Sequence, residues 1–336
     1  MSDRLHEAVP DTWRAWTWTG NGDPLTLALR SVQAIVPGPG EVLVRNAVIG
    51  LNPVDWKVLG GDLVDWQPGK VPGVDGAGVV VAVGAGVPDA WIGQRVAYHT
   101  NLATPGSFAE YTPVKQRALL RIPQTLDFAT AASFPCPALT AWLALDKLPP
   151  HAGQRVLVSG AGGAVGHYVV QLAAARGYDV SVMCNARHWA RLRSLGARDC
   201  FDGPLADHAP SPASLNAQCF AVIDSVNEAH AARLAPALRA NGHLVCIQGR
   251  VSDWPCAPFG RALSLHEVAL GALHQHGDDA DWQRLVAAGE QMLQSIADSR
   301  IVAEAHVVGD FAALPEQLDA LRQRSFSGKP LVAVSH

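Results

Sequence analysis

The chain has 336 residues, 49% of them hydrophobic and 17% charged, with 26 Lys and Arg against 30 Asp and Glu for a net charge of −4. That near balance offers no global attraction to nucleic acid or an anionic membrane, and the length suggests about two globular domains. No apolar run approaches the ~18 residues of a membrane helix, and MSDRLHEAVP has no apolar signal region, so a cytoplasmic protein is expected.

Residues 1–11 read as a mobile tail. From Thr12 to about Phe134 the pattern is of short strands between Gly/Pro turns, as at Glu41–Val48, Gly78–Val83 and Arg95–Tyr98. This predicts a β-rich domain. Leu126 to Ala144 turns helical and alanine-rich and bridges to a second domain. From Arg155 onward strand and helix alternate. Strands are expected at Arg155–Ser159, Asp179–Met183, Phe220–Asp224 and His243–Gln248, with Val268–Leu273 as an edge. Helices are expected over Tyr168–Arg176, Arg187–Leu195, Glu228–Arg239 and Trp282–Ala297. Such alternation predicts a doubly wound parallel sheet. The tail from Ile301 to Val334, with a helix over Phe311–Gln323, is expected to return to the first domain. The predicted boundaries are 1–134 with 299–336 for the β-rich domain and 135–298 for the α/β domain.

The most informative stretch is QRVLVSGAGGAVGHYVVQLAA at 154–174. A buried strand, a tight turn through Ala161, Gly162, Gly163, Ala164, Val165 and Gly166, and a helix open a dinucleotide-binding βαβ unit. The turn brings backbone close to a pyrophosphate, and the helix N-terminus presents N–H groups and partial positive charge to it. The six cysteines (Cys136, Cys184, Cys200, Cys219, Cys246, Cys256) are scattered with no C-x-x-C pair, which fits reduced thiols.

GLNPVDWK at 50–57, PGVDGAGVVVAVG at 72–84, GSFAEY at 106–111, ALTAWLAL at 138–145 and RSLGA at 193–197 follow one another with that glycine turn. In this order they resemble the medium-chain dehydrogenase/reductase superfamily, in its zinc-independent quinone oxidoreductase-like branch. The resemblance implies a GroES-like β domain, a Rossmann domain and a homodimer joined through Rossmann edge strands. Zinc-dependent relatives hold a catalytic metal with Cys, His and Cys beside a Glu. Those positions fall here on Asn52, Val74, Cys136 and Asp75, which cannot supply three ligands, so no metal is expected.

NAD-specific sites place an acid at the end of the second strand to bind the ribose 2′-OH. Met183 to His188 contains none. Arg187 is instead the leading partner for a 2′-phosphate, with Asn185 as a neutral donor beside it, so NADPH is the expected cofactor. Ser225, Gln248 and Gly249 fall at strand C-termini, where such a sheet binds its ligand, and Lys329 of GKP resembles a family position near the cofactor.

Hydride transfer without a Lewis acid favours conjugated acceptors, whose developing charge spreads to a remote oxygen that a few hydrogen bonds can stabilise. The expected substrate is therefore a quinone or an α,β-unsaturated carbonyl. The resemblance implies Asn52, Lys57 and Thr140 as the catalytic candidates. Each has a structural alternative: a turn-capping Asn before Pro53, a surface lysine paired with Asp55, and a threonine bonded to its own helix. The tyrosine that quinone reductases of this branch often carry after the motif is absent, Trp56 and Trp66 being the nearby aromatics. The alternatives in function are a 2-enoyl thioester reductase and an NADPH-binding crystallin-like or regulatory module.

Overall fold

The computed structural model describes residues 9–61, 63–325 and 328–335, so the tail expected over 1–11 lies mostly outside the described residues. The chain divides into two units, 1–136 with 271–336, and 137–270.

The first unit opens with the antiparallel pair β1 (Thr12–Thr17) and β2 (Ala28–Gln33). The long strand β3 (Glu41–Gly50) leads into α1 (Pro53–Val58), where Pro53 at the first helical position supplies a preset φ and needs no N–H partner. Next come β4 (Asp75–Val83), β5 (Arg95–His99), β6 (Tyr111–Lys115) and β7 (Leu119–Arg121). Helix α2 (Phe128–Ser133) starts where the Asp127 carboxylate accepts from Thr130 N at 2.6 Å. It packs so tightly on β3 that a Cβ on Gly50 would lie 2.3 Å from Ala132 O. Helix α3 (Pro135–Asp146) carries the chain from the first unit into the second.

In the second unit β8 (Arg155–Ser159), α4 (Ala164–Ala175), β9 (Asp179–Met183), α5 (Trp189–Ser194) and β10 (Asp199–Phe201) form the first half. The strands β11 (Cys219–Asp224), β12 (Leu238–Cys246) and β13 (Ser264–Glu267), with α6 (Glu228–Leu234), complete it. The sheet is parallel, in the order β10-β9-β8-β11-β12-β13. This is the doubly wound arrangement, with its switch of direction between β8 and β11. Two expectations are corrected. The helix predicted over Glu228–Arg239 stops at Leu234, because Pro236 cannot continue it, and the chain is already in β12 by Leu238. The edge strand is Ser264–Glu267 rather than Val268–Leu273. The latter segment instead forms a 3-10 turn at Leu270–Ala272 and the start of α7 (Leu273–His276).

The remainder consists of α8 (Asp279–Ala297), β14 (His306–Asp310), α9 (Leu314–Gln323) and β15 (Lys329–Ala333). The return to the first unit occurs at 271 rather than 299, and α8 docks at β7, where the Glu290 carboxylate accepts from Arg121 N at 2.9 Å. The sheet of the first unit runs β14-β15-β3-β4-β5-β7, with β6 also on β3. One apolar core of this unit gathers Ile49, Leu51, Val58 and Leu59 with Phe311, Leu314 and Leu318. Each such side chain contributes about 1.5–3 kcal/mol by leaving water.

Candidate active site

The glycine turn sits at the carboxyl end of β8, at the switch point. Gly160 has φ +69°, and a Cβ there would lie 2.5 Å from Ser225 Oγ, so the turn is closed to any larger residue. The Ser225 hydroxyl donates to Ser159 O at 2.8 Å, tying the ends of β8 and β11 together. Gly166 is packed against the backbone of Ala161, where a Cβ would come within 2.4 Å, which lets α4 approach its own turn. Gly163 begins the twelve-residue α4 with no side-chain cap, and the space where its Cβ would stand is open to 3.8 Å. A helix N-terminus with uncapped N–H groups beside an exposed glycine fits a phosphate.

Asn185 and Arg187 are exposed just beyond β9, and the Asn185 carbonyl accepts from Arg187 N at 3.1 Å, shaping the short turn there. The Arg187 Nε donates to His188 Nε2 at 3.1 Å, and His188 stands against Gly162, where a Cβ would be 2.5 Å from its Cδ2. Burial and then the Arg187 and Arg191 charges hold His188 below the usual imidazole range, consistent with its accepting role. Arg191 braces the turn: its guanidinium donates to Gly162 O at 2.9 Å and to His167 Nδ1 at 2.8 Å. No motif in the sequence singles out this brace. Gln248 and Gly249 follow β12, Gly249 with φ +96°. Thr140 lies on α3 and is buried.

In the first unit Asn52 and Lys329, 277 residues apart in sequence, meet in a buried polar cluster. The Lys329 ammonium donates to Asn52 Oδ1, the Asn52 amide donates to Asp75 Oδ2 at 2.9 Å, and Cys136 N donates to the same oxygen at 2.9 Å. Lys329 Nζ also stands 4.0 Å from Asp75 Oδ2. At the start of α1 Asp55 reaches back to the cap residue, its Oδ2 accepting from Asn52 N at 2.7 Å. Asp55 is thus fully buried under the start of α1 and does not serve as a surface partner for Lys57. Among the described residues its Oδ1, like Asp75 Oδ1, has no hydrogen-bond partner. Burial pushes the Asp55 carboxyl up to about 8, against the pull of the Asn52 N–H. Burial likewise lifts Asp75 to about 6, opposed by Lys329. Lys57 is half-buried, its Nζ 5.7 Å from the Trp56 ring, and burial followed by the Arg324 charge lowers its pKa.

Sequence reading treated Asp75 only as an occupant of a lost ligand position, although an acid inside the apolar run PGVDGAGVVV was itself a signal of a buried partner. A second omission is the pair His99–His274, stacked with Nδ1 and Nε2 3.1 Å apart. Burial pushes His274 down to about 4 and His99 well below the imidazole range. Among the described residues no group of three or more His, Cys, Asp or Glu is placed to hold a metal ion.

Comparison with known proteins matches residues 38–124 to the alcohol dehydrogenase GroES-like domain family. The chloroplast envelope quinone oxidoreductase homolog of Arabidopsis thaliana is 33% identical over 233 residues, covering 65% of this chain and 70% of that protein. The NADPH-dependent alkenal/one oxidoreductase of the same plant is 36% identical over 202 residues, covering 56% of this chain and 52% of that protein. In three dimensions the quinone oxidoreductase of Pseudomonas syringae pv. Tomato DC3000 superposes with TM-score 0.83 at 22% identity, over 96% of this chain and 99% of the other.

Proposed function

Since the chain belongs to the quinone oxidoreductase-like branch of the medium-chain dehydrogenase/reductase superfamily, we propose that it is an NADPH-dependent reductase of quinones or α,β-unsaturated carbonyls. The observation that carries the cofactor choice is the exposed Arg187 beside Asn185 at the end of β9, on a turn with no acid, next to the uncapped start of α4. A 2′-phosphate suits a guanidinium there, and an adjacent acid would repel it. When bound, NADPH supplies a hydride to an electron-poor carbon.

In this reading Gly162, Gly163, Ala164, Val165 and Gly166 cradle the pyrophosphate, while Ala161, Ser225, Gln248 and Gly249 line the same strand ends. Asn52, Lys57 and Thr140 are the proposed catalytic positions. The Lys57 ammonium is a donor for an oxygen on which charge develops. Asn52 has one amide hydrogen beyond the one that Asp75 accepts, and its carbonyl is held by Lys329. That supports a fixed donor at Asn52. In this reading Lys329 holds that donor and keeps its proposed place at the cofactor. A homodimer through the Rossmann edge belongs to the same proposal, supported by β13 as the last strand of the sheet and by Trp254 and Phe259, exposed in the loop before it. So does a cytoplasmic site of action; no helix among the described residues is long and apolar enough to cross a membrane.

The test is cofactor oxidation at 340 nm against quinones, enals and enones, with wild type and Arg187→Ala. Losing a charge-assisted phosphate contact of about 1.5–3 kcal/mol raises the KM for NADPH roughly 10–100-fold and leaves that for NADH unchanged. An equal effect on both cofactors, or a wild-type preference for NADH, overturns the assignment. Flat traces with tight NADPH binding point to a binding module instead.

A further inference from the structure

The carboxy-terminal strand pair leaves one edge of the first unit's sheet uncovered. β14 is last in the strand order, pairing with β15 in parallel from His306 opposite Lys329 to Asp310 opposite Ala333. Among the described residues no strand pairs with its other side. Val307 and Val308 are 56% and 45% exposed, although they are adjacent in sequence and therefore point to opposite faces. An exposed apolar edge of this kind is a template for another strand, and proteins ordinarily blunt it with charge, proline or a bulge.

The backbone of β14 fixes what could pair with it. Ala305 O accepts from Lys329 N at 2.8 Å. In a parallel pair, alternate residues direct both backbone groups at the neighbour, so Ala305, Val307 and Gly309 face β15. His306 and Val308 then direct N–H and C=O to the open side, and Asp310 directs its N–H there, its carbonyl being taken by the 3-10 turn Phe311–Ala313 that it caps. An antiparallel strand centred on Val308 meets all three. When that strand is β14 of a second copy, a two-fold axis through Val308 sets His306 opposite Asp310, Val308 opposite Val308, and Asp310 opposite His306. The central pair exchanges both backbone bonds and each outer pair adds the one from Asp310 N–H to His306 O, about four bonds in all. The three side chains share one face and read imidazole, valine, carboxylate, so the register matches basic to acidic at both ends and apolar to apolar in the middle. A parallel pairing would set His306 on His306 and Asp310 on Asp310. Slipping an antiparallel pairing by two residues would set a charged group against valine.

We propose that β14 is a self-complementary docking edge, through which two copies of this chain join their first-unit sheets by antiparallel β14–β14 pairing. This surface is separate from the Rossmann edge at β13, which lies in the other unit.

Light scattering on the full chain over a concentration series tests the pairing, comparing wild type with Val308→Lys, which sets two ammonium groups on the axis. The expected result is a lower mass for the variant, a monomer where β14 is the sole contact and a β13-linked dimer where that interface is also present. A cysteine version guards against a variant that fails to fold. Paired Val308 Cα atoms stand about 5.5 Å apart, within disulfide reach. Val308→Cys is expected to gain an inter-chain disulfide on oxidation, beyond the level of wild type and of Val307→Cys. Equal masses for wild type and Val308→Lys, or no more cross-link in Val308→Cys than in Val307→Cys, overturn the proposal.

Discussion

Lys329, 4% exposed, carries the only ammonium or guanidinium whose contact with the Asn52–Asp75 cluster is resolved among the described residues. Removing one partner of a buried pair leaves the other charge without compensation, at a cost of about 3–5 kcal/mol. Lys329→Met is therefore expected to lose stability of that order in urea unfolding, and adding Asp75→Asn is expected to restore most of it. A double variant no better than the single would show that the lysine acts through packing alone. The neighbouring Asp55 gives a pH signature. Its carboxyl, lifted by burial to about 8, remains protonated in the native chain where the unfolded chain has ionised at about 4. Its stabilising contribution is whole below the unfolded value and falls as pH rises through that window. Asp55→Asn keeps an oxygen for the Asn52 N–H. Its stability relative to wild type is expected to climb between about pH 5 and pH 8, with a pH-independent gap as the contrary outcome.

Among the elements, those whose reasons are local were legible in the sequence. The strand Arg155–Ser159 and the turn after it appear where predicted, because a β-branched run followed by Gly160 at positive φ leaves the backbone few alternatives. The strand Ser264–Glu267 was missed, since SLHE is four residues of mixed burial with no period to detect. It is a strand because β12 offers it a partner. Helix α6 is shorter than predicted because Pro236 ends it, and Asn241 adopts φ +58° within β12. Helix α2 depends on one cap. Asp127→Ala removes the acceptor for Thr130 N and is expected to cost about 1 kcal/mol. The loss is readable as a lower urea midpoint with an unchanged slope; a change in slope would mean that the surroundings of α2 had loosened as well.

At the scale of the whole molecule, a chain that leaves the first unit at residue 136 and returns at 271 cannot have its site read from any one segment. The family resemblance flagged Asn52 and Lys329 separately. Only the pairing of β15 with β3, Leu331 opposite Gly50, brings the two positions together. The parallel order of the second unit was foreseeable from alternation, whereas the Arg191 bonds to Gly162 and His167 depend on where α5 packs. That cross-brace has a consequence for recognition. With the loop carbonyl and the helix side chain already held by one guanidinium, the socket keeps its shape while empty. At this proposed cofactor site an incoming dinucleotide then spends little of its affinity on freezing backbone, and more of it appears as tight capture.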